Sequence, residues 1–188
     1  MLEARTFLIR RGAATLKAGR RCVLTNSATG EQLGAATEST ETLVQLVRLF
    51  LSESIVPKRI EVREQPDESL LMVLSRGWSL LRGTCEIRDA VGELVGTLRR
   101  LPGRAASYAI HDPYEKQFAD CRGDIAKQDY RIRTPEQDYT LARVQPQGGS
   151  ILLEISEDLE EQPPAKMMIL GTVLMLAMLI DARTPNED

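Results

Sequence analysis

Short stretches in which apolar and polar residues alternate recur along this chain, and residues that favour turns follow each of them. Four stretches open with Cys or Tyr and end in a polar turn, at 22–26, 85–89, 108–112 and 130–134. The last three begin about 22 residues apart. Alternation with a period of two is typical of a half-buried strand, and a second alternating stretch follows the turn, as at 93–98 and 139–144. The repeated unit is therefore predicted to be a β-hairpin.

A series of hairpins predicts an antiparallel sheet that closes into a barrel, because closure removes exposed strand edges. Further strands are predicted at 6–9, 60–63, 70–75 and 151–155. One short helix is predicted at 42–52, where apolar residues recur at helical spacing, and Trp78 is expected to anchor the core or its rim. No linker or low-complexity segment divides the chain, so residues 1–188 are predicted to form a single domain.

The apolar run at 167–180 departs from the β pattern. It contains no charged residue, Thr172 is its one polar side chain, and its many Leu and Met residues favour a helix. Such a helix is about 21 Å long, whereas the hydrocarbon core of a membrane is about 30 Å thick. We therefore predict a buried helix, enclosed by a barrel of more than eight strands, with membrane insertion as the alternative.

Two segments of the chain have counterparts in one known fold family. The segment at 85–96, CEIRDAVGELVG, resembles a hairpin of that family in which Asp-x-x-Gly joins two strands. The segments at 166–171 and 179–181 resemble the C-terminal helix of phospholipid scramblases. Together with the repeated hairpins, they resemble the tubby-like C-terminal fold, which tubby proteins, phospholipid scramblases and LURP-one-related proteins share. The resemblance implies a mainly β fold, a closed antiparallel barrel of about twelve strands around a buried hydrophobic C-terminal helix.

The functional segments of those families are not matched. Scramblases carry an Asp-rich, calcium-loop-like segment before the helix, whereas 156–164 reads SEDLEEQPP here. It has carboxylates but lacks the alternating oxygen ligands and central Gly of a calcium loop, so no metal site is expected. No counterpart of the phosphoinositide-binding Lys and Arg motif of tubby aligns with this sequence. Scramblase activity therefore stays an alternative and is not carried over.

Composition and charge indicate which partners the protein can bind and where in the cell it is located. Hydrophobic residues make up 43% of the chain and aromatic residues 4%, so aliphatic side chains must fill the core. The net charge of −3 gives no reason to expect a nucleic-acid partner. Three widely spaced cysteines without a CxxC pair are typical of reduced thiols, and no secretory signal opens the chain. We expect a cytoplasmic location, at the periphery of a membrane if the partner is a lipid, with a mitochondrial transit peptide at the basic N-terminal segment as a weaker alternative.

The basic cluster of Arg99, Arg100 and Arg104 is the strongest candidate for binding. It flanks a Pro-Gly turn that can present three guanidinium groups together. Guanidinium forks bind phosphates through two hydrogen bonds, and anionic membranes attract such clusters by about 1 kcal/mol per charge. We predict that these three residues bind an anionic headgroup, with a solvated loop as the alternative.

Candidate catalytic residues are sparse. His111 lies beside Asp112, as a general base beside a carboxylate does, but neighbouring residues in a strand or turn point apart. Cys121, which is followed by Arg122, is the candidate nucleophile among the thiols. Neither has an identifiable nucleophile or base as partner. We therefore predict no enzyme and no cofactor, but a binding or sensing domain of the LURP-one-related or scramblase-related type that recognises an anionic phospholipid or a protein. A membrane-associated scramblase-like protein and an enzyme of unknown type are the alternatives.

Overall fold

A closed antiparallel barrel forms most of the described chain. The structure, a computed structural model, describes residues 1–12, 21–39, 57–77, 84–102 and 107–180. Within these ranges it contains twelve strands: β1 (Thr6–Gly12), β2 (Arg21–Asn26), β3 (Gln32–Ser39), β4 (Lys58–Glu64), β5 (Leu70–Arg76), β6 (Thr84–Asp89), β7 (Leu94–Arg100), β8 (Tyr108–His111), β9 (Gln117–Asp124), β10 (Asp129–Arg133), β11 (Thr140–Gln147) and β12 (Ser150–Ile155). Each strand pairs with its sequence neighbours, and β1 pairs with β12. The predicted barrel of about twelve strands is confirmed, whereas the predicted helix at 42–52 and Trp78 lie outside the described residues.

Helix α1 (Pro163–Ile180) follows β12 after a 3-10 turn at Glu157–Leu159 and runs through the barrel. Every side chain from Ala165 to Met178 is buried, so the helix has no exposed face along this stretch. The predicted buried helix is confirmed. It begins at Pro163 rather than at 167, because the first turn of a helix needs no backbone N–H donors and tolerates proline.

The alternation read from the sequence separates the inside of the barrel from the outside. The residues that open the four repeated stretches, Cys22, Cys85, Tyr108 and Tyr130, are all buried inside. Apolar residues two positions further along the strands, such as Leu24 and Ile87, are also buried. Cys and Tyr therefore occupy equivalent inward positions, which explains why they replace one another in the repeat.

Two hairpin turns are built in the same way around an aspartate. Asp89 Oδ1 accepts hydrogen bonds from the backbone N–H groups of Val91 and Glu93, at 3.0 and 2.8 Å. Asp112 Oδ1 accepts the equivalent bonds from Tyr114 and Lys116, both at 2.9 Å. Each carboxylate thus satisfies two turn donors, which is the physical reason for an Asp at the start of the turn.

Glycines bring α1 close to one side of the barrel, where β5, β6 and β7 contact it. A β carbon on Gly171 of α1 would lie 2.9 Å from Leu74 Cδ2. A β carbon on Gly96 of β7 would lie 2.7 Å from the Met168 sulfur and 2.8 Å from the His111 carbonyl oxygen. Because neither glycine has a side chain, the helix can lie this close to the wall of the barrel.

Candidate functional site

The two ends of the barrel differ in charge. The turns and strand ends at one end, which we call the acidic end, carry Asp67, Glu68, Asp89, Glu93, Asp112, Glu115, Glu136, Asp138, Glu157, Asp158, Glu160 and Glu161, with Arg5, Arg63, Arg88, Lys116, Arg133 and Lys166 as described basic residues. The opposite end, where α1 finishes, we call the basic end; it carries Arg10, Arg11, Arg21, Lys58, Arg59, Arg76, Arg100 and Lys127, with Glu38, Asp124 and Asp129 as described acidic residues. The net charge of −3 therefore conceals a charge separation along the barrel axis.

Charged residues occupy inward-facing positions at the basic end. Alternation along β4 and β5 turns Lys58 and Arg76 to the inside, where 3% and 6% of their surfaces are exposed. Arg11 and Arg100 continue the inward-facing sides of β1 and β7, and they are partly buried and exposed, respectively. We call these four residues, Arg11, Lys58, Arg76 and Arg100, the inner rim.

Lys58 and Arg76 lie opposite each other in the register of β4 and β5. Like charges in facing positions destabilise a sheet, and burying a charge costs several kcal/mol unless it is compensated. Glu38 of β3 is buried on the same inner surface. The Lys58 Nζ lies 3.5 Å from the carbonyl oxygen of Met178, at the negatively polarised end of α1. The inner rim thus concentrates positive charge around the end of the helix.

The predicted arginine cluster is divided between two faces of the sheet. Arg99 faces outward and forms an ion pair with Glu115 on the β8–β9 turn. Arg100, the next residue, belongs to the inner rim, because successive strand residues point to opposite faces. Arg104 lies outside the described residues. Arg99 and Arg100 therefore do not share a surface, and a role for the three residues in binding stays a prediction.

The candidate catalytic residues lie in settings that do not favour reaction. Asp112 caps its own turn, and the His111 Nδ1 has no hydrogen-bond partner in the described structure. Burial and the charge of Arg99 lower the pKa of His111, although Glu115 and Asp112 act in the opposite direction. Burial, assisted by the charge of Asp120, raises the pKa of the Cys121 thiol to about 12. Arg122 does not activate this thiol, because its guanidinium is bound to Asp120.

Cys85 lies closer to positive charge than Cys121 does. The charges of Arg76 and Lys58 favour its thiolate, but burial outweighs them and raises the pKa of Cys85 to about 11. The thiol is therefore protonated near neutral pH. Its place beside the inner rim is consistent with packing and not with nucleophilic chemistry.

The inner rim was missed by sequence reasoning, although the strands carry a signal for it. In each of the four strands, a basic residue stands two positions from a buried apolar residue, where alternation predicts another inward-facing side chain. Examples are Ile60 for Lys58 and Leu74 for Arg76. The direction of each strand then shows that all four positions fall at the same end of the barrel.

Two further properties concern the described ranges alone. No group of three or more His, Cys, Asp and Glu side chains there has the arrangement to hold a metal ion. No helix in these ranges combines the length and the hydropathy that a membrane span requires.

These features define a class of protein, a closed twelve-strand antiparallel barrel with a helix through its centre and basic residues at the end where the helix finishes. A crystal structure of a protein from Arabidopsis thaliana has a similar fold, with a TM-score of 0.57 over 94% of this chain and 89% of that one. The two chains are 11% identical, so the likeness concerns the fold alone. No protein-family model matches this sequence, and no curated protein matches it.

Proposed function

We propose that this chain is a non-catalytic binding domain of the LURP-one-related or scramblase-related type, and that its basic end contacts an anionic phospholipid surface. The barrel with its central helix supports the class, through the resemblance of the hairpin and helix segments. The observation that carries the ligand chemistry is the facing pair of Lys58 and Arg76. These two side chains place positive charge at one mouth of the barrel, beside Arg11 and Arg100 of the inner rim, and such a concentration of cationic groups favours contact with negative charge.

Exposed arginines extend the same charge to the surface. Arg10, Arg21 and Arg59 are exposed at the basic end, around the inner rim that includes Arg100. An anionic lipid surface attracts these arginines and repels the acidic end of the barrel. The polarity therefore gives the domain a defined orientation, with the basic end towards the membrane.

The remaining parts of the proposal concern catalysis and location. The raised pKa of Cys121 and the turn-capping role of Asp112 support a domain without catalytic groups. Three buried cysteines, none of them in a disulfide, support a reducing compartment, so the proposed location is the cytoplasm, at the periphery of a membrane.

Vesicle flotation tests the proposal with matched variants. One triple variant, Arg10→Gln, Arg59→Gln and Arg100→Gln, removes three charges from the basic end. The control, Arg63→Gln, Arg88→Gln and Lys116→Gln, removes three charges from exposed or half-buried positions nearer the acidic end. We expect the wild type and the control to float with phosphatidylcholine vesicles that contain phosphatidylserine, and not with phosphatidylcholine alone.

The basic-end variant should stay at the bottom of the gradient, and added salt should release the wild type, since the attraction is electrostatic. Absence of flotation for the wild type would reject the lipid surface as ligand. Equal loss in both triple variants would mean that total charge, and not the basic end, controls binding.

A further inference from the structure

A second basic surface lies on the outside of the barrel, on β9, β10 and β11. Arg131 of β10 faces Arg122 of β9 on one side and Arg143 of β11 on the other, and all three side chains are exposed. Neighbouring strands are about 4.8 Å apart, so the three residues form a row about 10 Å long. Facing like charges destabilise a sheet, so this row lowers the stability of the free protein.

Beside the row is an open hollow of about 330 Å³. Its lining residues come from β9 and β10: Arg122, Gly123, Asp129, Tyr130, Arg131 and Arg133. Gly123 has no side chain, and the Tyr130 side chain is buried inside the barrel. The polar side chains available to a bound molecule are therefore three arginines and one aspartate. The volume is at the lower end of the range for small-molecule sites.

Two of these arginines are held in position. The Arg122 guanidinium donates to Asp120 at 2.9 and 3.1 Å, and it lies 3.6 Å from Asp138. The Arg133 guanidinium donates to Asp138 at 2.6 Å. Such contacts fix the direction of each guanidinium and leave further N–H donors on each.

Arg131 lies between these two arginines, and its side chain differs from theirs in its contacts. Within the described part of the chain, the side chains of Arg131 and Arg143 make no hydrogen bond or ion pair with another residue, although Glu154 faces Arg143 across the strands. An anion in the hollow can therefore take both terminal N–H groups of Arg131, the geometry in which guanidinium binds phosphate most strongly.

We propose that this hollow binds a phosphate monoester that also carries a hydroxyl group. The phosphate contacts Arg131 and the remaining N–H donors of Arg122 and Arg133, and Asp129 accepts a hydrogen bond from the hydroxyl group. Asp129 favours this chemistry over a longer polyanion, because a carboxylate repels further negative charge. The hollow lies on the side of the barrel, so it is separate from the basic end and does not depend on the function proposed for it.

Titration followed by NMR tests the proposal, with glycerol 3-phosphate, inorganic phosphate and glycerol as probes. Glycerol 3-phosphate should shift the amide signals of Gly123 and Arg131 in a saturable way and raise the thermal midpoint of the wild type, whereas glycerol should do neither. Arg131→Gln should weaken binding at least tenfold, and Arg88→Gln, which removes a half-buried arginine from β6, should leave it unchanged. Arg131→Gln should also raise the midpoint of the free protein, because it removes the facing like charges.

Asp129→Ala separates the two contacts. It removes both the acceptor for the hydroxyl group and the repulsion of the phosphate, so glycerol 3-phosphate binding should weaken relative to inorganic phosphate. Absence of saturable shifts, or equal affinity of the wild type and Arg131→Gln, would overturn the proposal.

Flotation with phosphatidylcholine vesicles that contain lysophosphatidic acid, a phosphate monoester with a free hydroxyl group, separates the two sources of the phosphate. The comparison is made in the basic-end triple variant, with and without Arg131→Gln, so that the basic end does not contribute. Loss of flotation in Arg131→Gln, together with the loss of soluble binding, assigns lipid-borne phosphate to the same hollow. Unchanged flotation with the same loss of soluble binding restricts the hollow to soluble esters.

Discussion

Gly96 of β7 and Met168 of α1 are packed so closely that a β carbon on Gly96 would lie 2.7 Å from the Met168 sulfur. The same carbon would lie 2.8 Å from the carbonyl oxygen of His111 on β8. The methionine side chain can move, but the backbone carbonyl is fixed by the barrel. The position therefore requires glycine for reasons of space.

Gly96→Ala should lower the free energy of unfolding by about 1–3 kcal/mol, the usual cost of overpacking a core. The measurement is a urea titration followed by circular dichroism. Gly77→Ala is the matched control, because a β carbon there would meet no atom of the described residues within 4 Å. Equal urea midpoints for Gly96→Ala and the wild type would mean that α1 is not held against β7.

Leu174→Asp should unfold the protein. Leu174 has no exposed surface and lies in the middle of the enclosed helix, so the variant buries an uncompensated charge that costs several kcal/mol. Domains are stable by only about 5–15 kcal/mol. Size-exclusion chromatography and circular dichroism report the result, with Val91→Asp on an exposed turn as control. A folded, monodisperse Leu174→Asp protein would contradict the enclosed helix.

Asp158 should titrate below the usual range of a carboxyl group. Hydrogen bonds from the Tyr139 and Ser156 hydroxyl groups lower its pKa. The pKa is lower in the folded state, so the contribution of Asp158 to stability is present above the unfolded pKa of about 3.9 and is lost as the pH falls through the folded pKa.

NMR titration of the Asp158 carboxyl carbon measures this pKa directly. Tyr139→Phe should raise it towards the unfolded value, because the hydroxyl donor is lost. Urea midpoints of the wild type and Tyr139→Phe should differ at pH 7 and converge as the pH falls below about 4. A difference that stays constant with pH would show that the hydroxyl group acts without the charge of Asp158.

The three cysteines should be inert in the folded protein. All three are buried and none is in a disulfide, and the pKa values of Cys85 and Cys121 are raised to about 11 and about 12. These two thiols are therefore protonated at pH 8 and are poor nucleophiles. An aromatic disulfide reagent should label no thiol in buffer and three thiols in urea. Rapid labelling of one thiol in the native protein would contradict the buried setting.

Alternation of apolar and polar residues was sufficient to predict the barrel, because the pattern within each strand identifies the face that is buried. Cys85 and Ile87 in one strand, and Tyr130 and Ile132 in another, mark the inner surface without knowledge of any partner strand. Helix α1 begins at Pro163, four residues before the apolar run at 167–180, because proline is tolerated in the first turn of a helix and the apolar run marks only the part that is apolar throughout.

Contacts between distant strands could not be predicted in the same way. The ion pair of Arg99 with Glu115 depends on the register of β7 and β8 and on the conformation of the following turn. The row formed by Arg122, Arg131 and Arg143 depends on two registers at once. Because no local pattern fixes those registers, the sequence predicted basic residues but not the surfaces on which they meet.

The pairing of Phe7 with Leu153 closes the barrel between the first strand and the last. Contacts between such distant parts of a chain form slowly, because the entropy of the long intervening loop opposes them. A helix cannot pass through a complete ring of hydrogen-bonded strands, so α1 must meet the open sheet before closure. During translation, β1 to β11 therefore leave the ribosome with an uncovered apolar face. We expect this nascent sheet to depend on chaperones until α1 has emerged from the exit tunnel.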